Sequence, residues 1–369
     1  MTMPITNNHS PLSPLNESEQ VGACCIIARE KLEIGDYAAG VAALEPWWTL
    51  GQWPSHADLL DNAAAELLLT AGTLSAWMAT TKQVSGGQKP AEAMLSGAIT
   101  LFERIGMKSR ASEARIELAC CYFWQGQFDL AKLTLHSSLE GITDRETELR
   151  CVAVIRLALV EHHAGRLHEA LKLLNEALPL IESQRLWIKG RFHLELATTL
   201  KDLGVAEGHT KHSTRSLTHY QTALVAFEKL GNLRYIAIAE NNLGYLLLTL
   251  QSFDDAQVHL FRARSLFEEF GDQVRRAQVD ETIAQLRIGC QQYSLAKTAI
   301  ELAVYTLEGS GEDVLLAEAL TTQGLVLCRL GHRQDAKPIL ERTRRVAERC
   351  GDREGAGRAL LILIEEMCE

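Results

Sequence analysis

A chain of 369 residues with 47% hydrophobic and 23% charged side chains and a net charge of -10 has the composition of a folded protein and not of a disordered one. Its acidity argues against general nucleic-acid binding, and no apolar run reaches the roughly 18 residues of a membrane span. Nine cysteines without CxxC spacing read as reduced thiols of a cytoplasmic protein, and the start MTMPITNNHSPLSPLNESEQ has neither the basic region nor the apolar run of an export signal.

Residues 1–18 are expected to be a disordered tail, and 19–369 a single all-α unit. A first helix around Ala28 ends at the turn Gly35-Asp36-Tyr37, followed by Pro46-Trp47-Trp48 and Trp53-Pro54. Trp47, Trp48 and Trp53 either plug the junction between the first two helix pairs or offer a surface to a partner. A second pair begins around Gly72 and carries the polar string TKQVSGGQK at 81–89, expected to be an exposed loop.

Residues 113–139 and 152–178 repeat one pattern. Ile116, Ala119, Cys120 and Phe123 share a helix face, a turn follows, and Leu130, Ala131, Leu135 and Ser138 share a second face; Val154, Leu157, Ala158 and Glu161, then Ala170, Leu174 and Ala177, restate it. A further pair around Ala197 carries VAEGHTKHS at 205–213, a second expected loop. From there glycine stands at 231, 271, 311 and 351, forty residues apart, each followed by Asn232, Asp272, Glu312 or Asp352. Glycine just past a helix end accepts the left-handed conformation that terminates it. Small residues mark the first helix of eight successive pairs: Ala28, Gly72, Ala119, Ala158, Ala197, Gly244, Ala284 and Gly324. A last helix, 353–368, caps the stack, with Leu360, Leu363, Ile364 and Met367 expected to face the preceding pair.

Asn242-Leu243-Gly244-Tyr245, the turn aromatics Phe128, Phe253 and Tyr293 and the turn glycines Gly126, Gly165, Gly204 and Gly331 resemble the tetratricopeptide repeat, in the long 39–40-residue form of bacterial signalling and regulatory arrays. Gln251 and Gln291 replace the turn glycine, and Arg333 the turn aromatic. The resemblance implies a right-handed superhelical solenoid of about eight helix-turn-helix repeats plus the capping helix, with the first helix of each pair lining a concave groove. One turn either side of each small residue, Ile116, Phe123, Trp124, His162, Lys201, Asn241, Tyr245, Glu281, Gln285 and Arg329 project toward that groove, as do Arg29, Trp77 and Cys120. Aromatic anchors beside amides suit a segment of another protein. A Lys/Asn clamp for a C-terminal carboxylate is not reproduced, since Leu194 and Thr198 stand at its positions.

Residues 1–70 hold two basic against nine acidic side chains, whereas 329–358 hold nine basic against five acidic. The cluster Arg342, Arg344, Arg345 and Arg349 is either a solvated face or a contact for an acidic partner, including another copy through the terminal helices. No HExxH, Walker, GxSxG or EF-hand spacing occurs. The histidine groups His162, His163, His168 and His209, His212, His219 are not read as metal ligands, because adjacent helical residues diverge by about 100°, and the loop histidines are read as solvated. The function expected is a non-enzymatic scaffold or adaptor that binds a peptide or protein segment, without cofactor or metal; the alternatives are a regulatory sensor for a peptide or small ligand and an enzyme with an unrecognised site.

Overall fold

The structure, a computed structural model, describes residues 16–82, 88–208, 210–350 and 352–367. The described residues form seventeen helices: α1 (Glu17–Glu33), α2 (Tyr37–Ala42), α3 (Asp61–Lys82), α4 (Gln88–Arg104), α5 (Lys108–Trp124), α6 (Phe128–Glu140), α7 (Thr147–His163), α8 (Leu167–Ile181), α9 (Leu186–Glu207), α10 (Thr210–Leu230), α11 (Leu233–Thr249), α12 (Phe253–Glu269), α13 (Gln273–Gly289), α14 (Tyr293–Leu307), α15 (Asp313–Arg329), α16 (Arg333–Cys350) and α17 (Arg353–Met367). They make eight consecutive hairpin pairs with α17 packed on the last.

The pairs close where the marker residues predict. A Cβ added at Gly324 would lie 2.5 Å from Leu340 Cδ2, and one at Gly244 2.7 Å from Leu260 Cδ2, so only a residue without a side chain lets a leucine of the second helix reach the first helix's backbone. Ala131, Ala170, Ala256, Ala296 and Ala336 are fully buried on the facing helices. Among the described residues, the turns within pairs use one left-handed residue: at Gly126 (φ 73°) the Gln127 N–H donates to Tyr122 O at 2.9 Å, satisfying a carbonyl at the helix end. Gln251 and Gln291 take the same conformation, both at φ 60°, and make the same closure through Ser252 N to Leu247 O (2.9 Å) and Gln292 N to Arg287 O (2.8 Å).

Successive odd-numbered helices pack on one another to a degree that even-numbered ones do not, so odd helices form the inner layer of a curved stack and even helices the outer. The curve brings its start back to its middle. Asn232 Nδ2 donates to Glu33 O at 2.7 Å, across 199 residues, Arg185 pairs with Glu33 at 2.7 Å, and Tyr37 joins the apolar cluster of Tyr235 and Phe227. Most repeat stacks contact only nearest neighbours; here the first pair also touches the segment joining the fifth and sixth.

Several expectations change. α1 begins at Glu17, inside the segment assigned to the tail, because Asn16 accepts from Glu19 N and Glu19 accepts from Asn16 N, both at 2.9 Å, a reciprocal cap; residues 1–15 lie outside the described residues. The extra residues at 205–213 lengthen helices instead of making an exposed loop: α9 runs to Glu207, Gly208 turns at φ 68° and α10 starts at Thr210. Of 81–89, residues 83–87 lie outside the described residues, and the rest is helical. On α17, Ile362 and Leu363 pack on α15 and α16, while Leu360, Leu361 and Ile364 are exposed, so the buried face is rotated from the expected one. The only thiols described are free, and Cys25, Cys120, Cys121, Cys151 and Cys328 are buried.

Candidate functional site

The inner layer has three electrostatic neighbourhoods. Near its start, Glu66 on α3 accepts from Arg29 Nη1 and Arg110 Nε, each at 2.7 Å. Burial works to raise this carboxyl, but the two guanidiniums outweigh it and hold it below the usual range.

Next lies a group that the sequence reading missed. Arg156 on α7 has its guanidinium 5.5 Å from the Trp77 ring, and Arg191 on α9 lies 5.5 Å from Trp187 and 4.8 Å from Tyr235, whose hydroxyl it contacts. A small, partly open cleft lies between the two helices, lined by Val152, Ile155, Arg156, Trp187, Ile188 and Arg191. Glu117 of α5 lies nearby, its carboxyl raised by burial against the opposing pull of Arg156. The signal was present: Arg156, Glu117 and Glu195 each stand two residues before a first-helix small residue, and Arg191, Glu113 and Glu318 six before. A projection limited to one turn either side passed over the second register, and attention to apolar anchors passed over the first.

In the middle, His162 is enclosed and not solvated. Its Nδ1 lies 3.2 Å from Glu195 Oε1 and its Nε2 2.8 Å from Asp202 Oδ2, while Lys201 Nζ pairs with Asp202 at 2.5 Å. Burial opposes the charged ring, but the two carboxylates prevail and raise it to about 9. His193 and His219 stack with centroids 5.1 Å apart, and burial with the neighbouring ring lowers His219 to about 4. Lys201 also sits 4.9 Å from the Tyr245 ring.

Toward the end, Glu281 accepts from Thr322 Oγ1 and Gln285 Nε2, both at 2.6 Å. Burial raises its carboxyl, and burial together with Glu281 raises that of Glu318 to about 7. Asn241 is buried, with its Oδ1 unpartnered.

The expected residues therefore divide. Lys201 is brought against the Tyr245 ring and, through Asp202, to His162, Gln285 meets Glu281, and Asn241 is buried on α11. Ile116 is fully buried in the apolar layer between α5 and its neighbours, which removes it from any ligand surface. Phe123 is also buried, packed on Trp124 (5.0 Å), Phe128 (5.8 Å) and His163 (5.0 Å), and Trp124 keeps an exposed face. Arg329 pairs with Glu366 of α17 at 2.8 Å, so the cap engages it. Trp48 is buried with Nε1 donating to Gln52 O at 3.1 Å, Trp47 is half-buried, and Trp53 is exposed; the cluster is one core plug and one free edge. Arg342, Arg344 and Arg349 pair with Glu308, Glu348 and Asp313, which leaves Arg345 exposed on α16. Among the described residues no group of three or more His, Cys, Asp or Glu side chains is arranged to hold a metal, and no helix is long and apolar enough to cross a membrane.

No protein-family model and no curated protein sequence matches the chain. Solved structures do. A Rap protein complexed with Competence and Sporulation Factor superposes with a TM-score of 0.59 at 17% identity, covering 95% of this chain and 98% of that one. The apo form of the quorum sensor NprR from B. thuringiensis gives 0.58 at 14%, covering 90% and 89%. Aspartyl phosphate phosphatase F from Bacillus subtilis gives 0.57 at 11%, covering 94% and 96%. The fold is a tetratricopeptide-type solenoid. Identities this low carry the fold of a tetratricopeptide array and not its ligand.

Proposed function

We propose that this chain binds a peptide or a segment of another protein in the channel lined by its odd-numbered helices. One observation carries the reading: the inner layer presents Asn241 Oδ1, buried without a hydrogen-bond partner, and the largely buried Arg156, whose guanidinium meets the Trp77 face and, among the described residues, no carboxylate. Such groups are costly in an empty protein and are satisfied by a ligand that brings the missing partners. Two of the similar structures are a Rap protein in complex with Competence and Sporulation Factor and a quorum sensor, which supports a binding role; a third is a phosphatase, and the role proposed for this chain is binding and not catalysis. A responsive version, in which the bound segment alters superhelix curvature, is favoured by the Glu33–Asn232 contact, which any change of curvature loads or releases.

The test is site-specific photo-crosslinking in the native host, with p-benzoylphenylalanine at Trp124 on the inner layer or at Val258 on the outer helix α12, where 67% of the side chain is exposed. A discrete adduct from Trp124 that is missing from Val258 is the expected result. Adducts from Val258 alone, or equal sets from both, would sink the channel reading.

A further inference from the structure

Arg156 and Arg191 are unusual among the arginines of this chain. Most inward guanidiniums meet a carboxylate: Arg29 and Arg110 meet Glu66, and Arg234 meets Asp272 at 2.8 Å. Arg156 is only 8% exposed, yet among the described residues it makes no hydrogen bond and no ion pair, its one contact of note being the Trp77 face. Arg191 has no ion pair either among the described residues, and its hydrogen bond goes to the Tyr235 hydroxyl. Both line the same cleft between α7 and α9, so two like charges face a common space with no counter-charge in it. Glu117, close to Arg156, and Glu195, close to Arg191, are the acids nearest the pair, and neither makes an ion pair with it. In a protein with a net charge of -10, acids are plentiful, and none lines the cleft itself.

We infer that the cleft is an anion subsite of the channel, in which Arg156 and Arg191 together take a carboxylate of the bound peptide while Trp77 and Trp187 hold the two guanidiniums edge-on to it. This rests on the peptide-binding reading above and narrows it to acid-bearing ligands. Paired guanidiniums present parallel N–H donors that match the two oxygens of a carboxylate, and aromatic faces behind them fix their planes without competing for the donors. The carboxylate can come from a peptide C-terminus or from an Asp or Glu side chain. Glu117 competes weakly for the same guanidiniums, so neutralising it should strengthen the site.

The experiment is affinity selection of random heptapeptides by the full chain, read by mass spectrometry, from one pool with free C-termini and one with C-terminal amides. Wild type is compared with Arg156→Gln, Arg191→Gln and Glu117→Gln, each checked for wild-type helicity. The expected result is enrichment of acid-bearing peptides, reduced at least tenfold in either arginine variant and increased severalfold in Glu117→Gln. Loss of enrichment on amidation would assign the C-terminal carboxylate, and retention with selection of Asp or Glu the side chain. Peptides enriched without acid preference, or with a preference that survives both arginine variants, overturn the subsite and leave the channel reading standing. If wild type enriches nothing from either pool, both readings fall.

Discussion

Replacing Asn232 by Asp separates two roles that one side chain performs. Asn232 is fully buried; its Oδ1 accepts from Tyr235 N at 3.0 Å as the cap of α11, and its Nδ2 donates to Glu33 O at 2.7 Å at the end of α1. Asp272, forty residues on, caps α13 in the same way by accepting from Arg275 N at 3.1 Å. Asp is as good a cap as Asn, so Asn232→Asp keeps α11 intact. It turns the donor toward Glu33 into an acceptor facing a carbonyl, and the loss of one buried hydrogen bond with its unsatisfied partner costs about 1–3 kcal/mol. The Arg185–Glu33 pair, with half-exposed partners, offsets little of this. That loss should fall on the contact between the first pair and the middle of the stack. Amide hydrogen exchange in α1 and α2 should therefore accelerate by roughly five- to a hundredfold, with α13 to α16 unchanged, and Asn232→Ala should add about 1 kcal/mol for the lost cap. Unaltered protection of α1 and α2 in Asn232→Asp, or an even loss across every helix, would refute the reasoning.

The His162 network makes stability depend on pH in a defined direction. With a folded value of about 9 against an ordinary 6.5, its contribution is complete below about pH 6.5 and is lost as pH rises through 9; the shift corresponds to about 3 kcal/mol. Denaturant unfolding of wild type and His162→Gln should differ most near pH 6 and converge by pH 10, and a difference that grows with pH would contradict the assignment. Gln251 and Gln291 are exposed and left-handed at φ 60°, which costs a residue with a side chain about 1–2 kcal/mol, partly offset by the entropy glycine loses on folding. Gln251→Gly and Gln291→Gly should each raise stability by about 0.5 kcal/mol in thermal melts, and a lowered melting temperature in both would show that the side chains carry unseen interactions.

The fold was legible because its contacts are mostly local. Gly244 and Gly324 could be read as points of close approach because the leucines they admit lie sixteen residues away on the next helix, within one repeat. The turns at Gln251 and Gln291 were placed by the repeat pattern with Phe253 and Tyr293, and the structure adds their left-handed geometry. The site was less legible. His162 read as a groove residue, but its network did not, because Glu195 and Asp202, the groups that enclose it, are 33 and 40 residues distant and only helix-to-helix packing brings them together. Ile116 read as a groove residue because its position relative to Ala119 is correct, but the packing of α5 against its neighbours turns it into the layer.

The sequence by itself determined the repeat: its length, the two helices of each pair, the small residues at their crossings and the left-handed turns between them. Each of these depends on residues within one or two units, where hydrophobic period and backbone sterics decide the outcome. Only the tertiary structure decided the curvature that returns Glu33 to Asn232, the lengthening of α9 and α10, the face that α17 buries, and which inward charges are paired. Those follow from small rotations between neighbouring pairs that accumulate along the stack. A contact spanning 199 residues depends on the sum of those rotations and leaves no period in the chain from which it could be read.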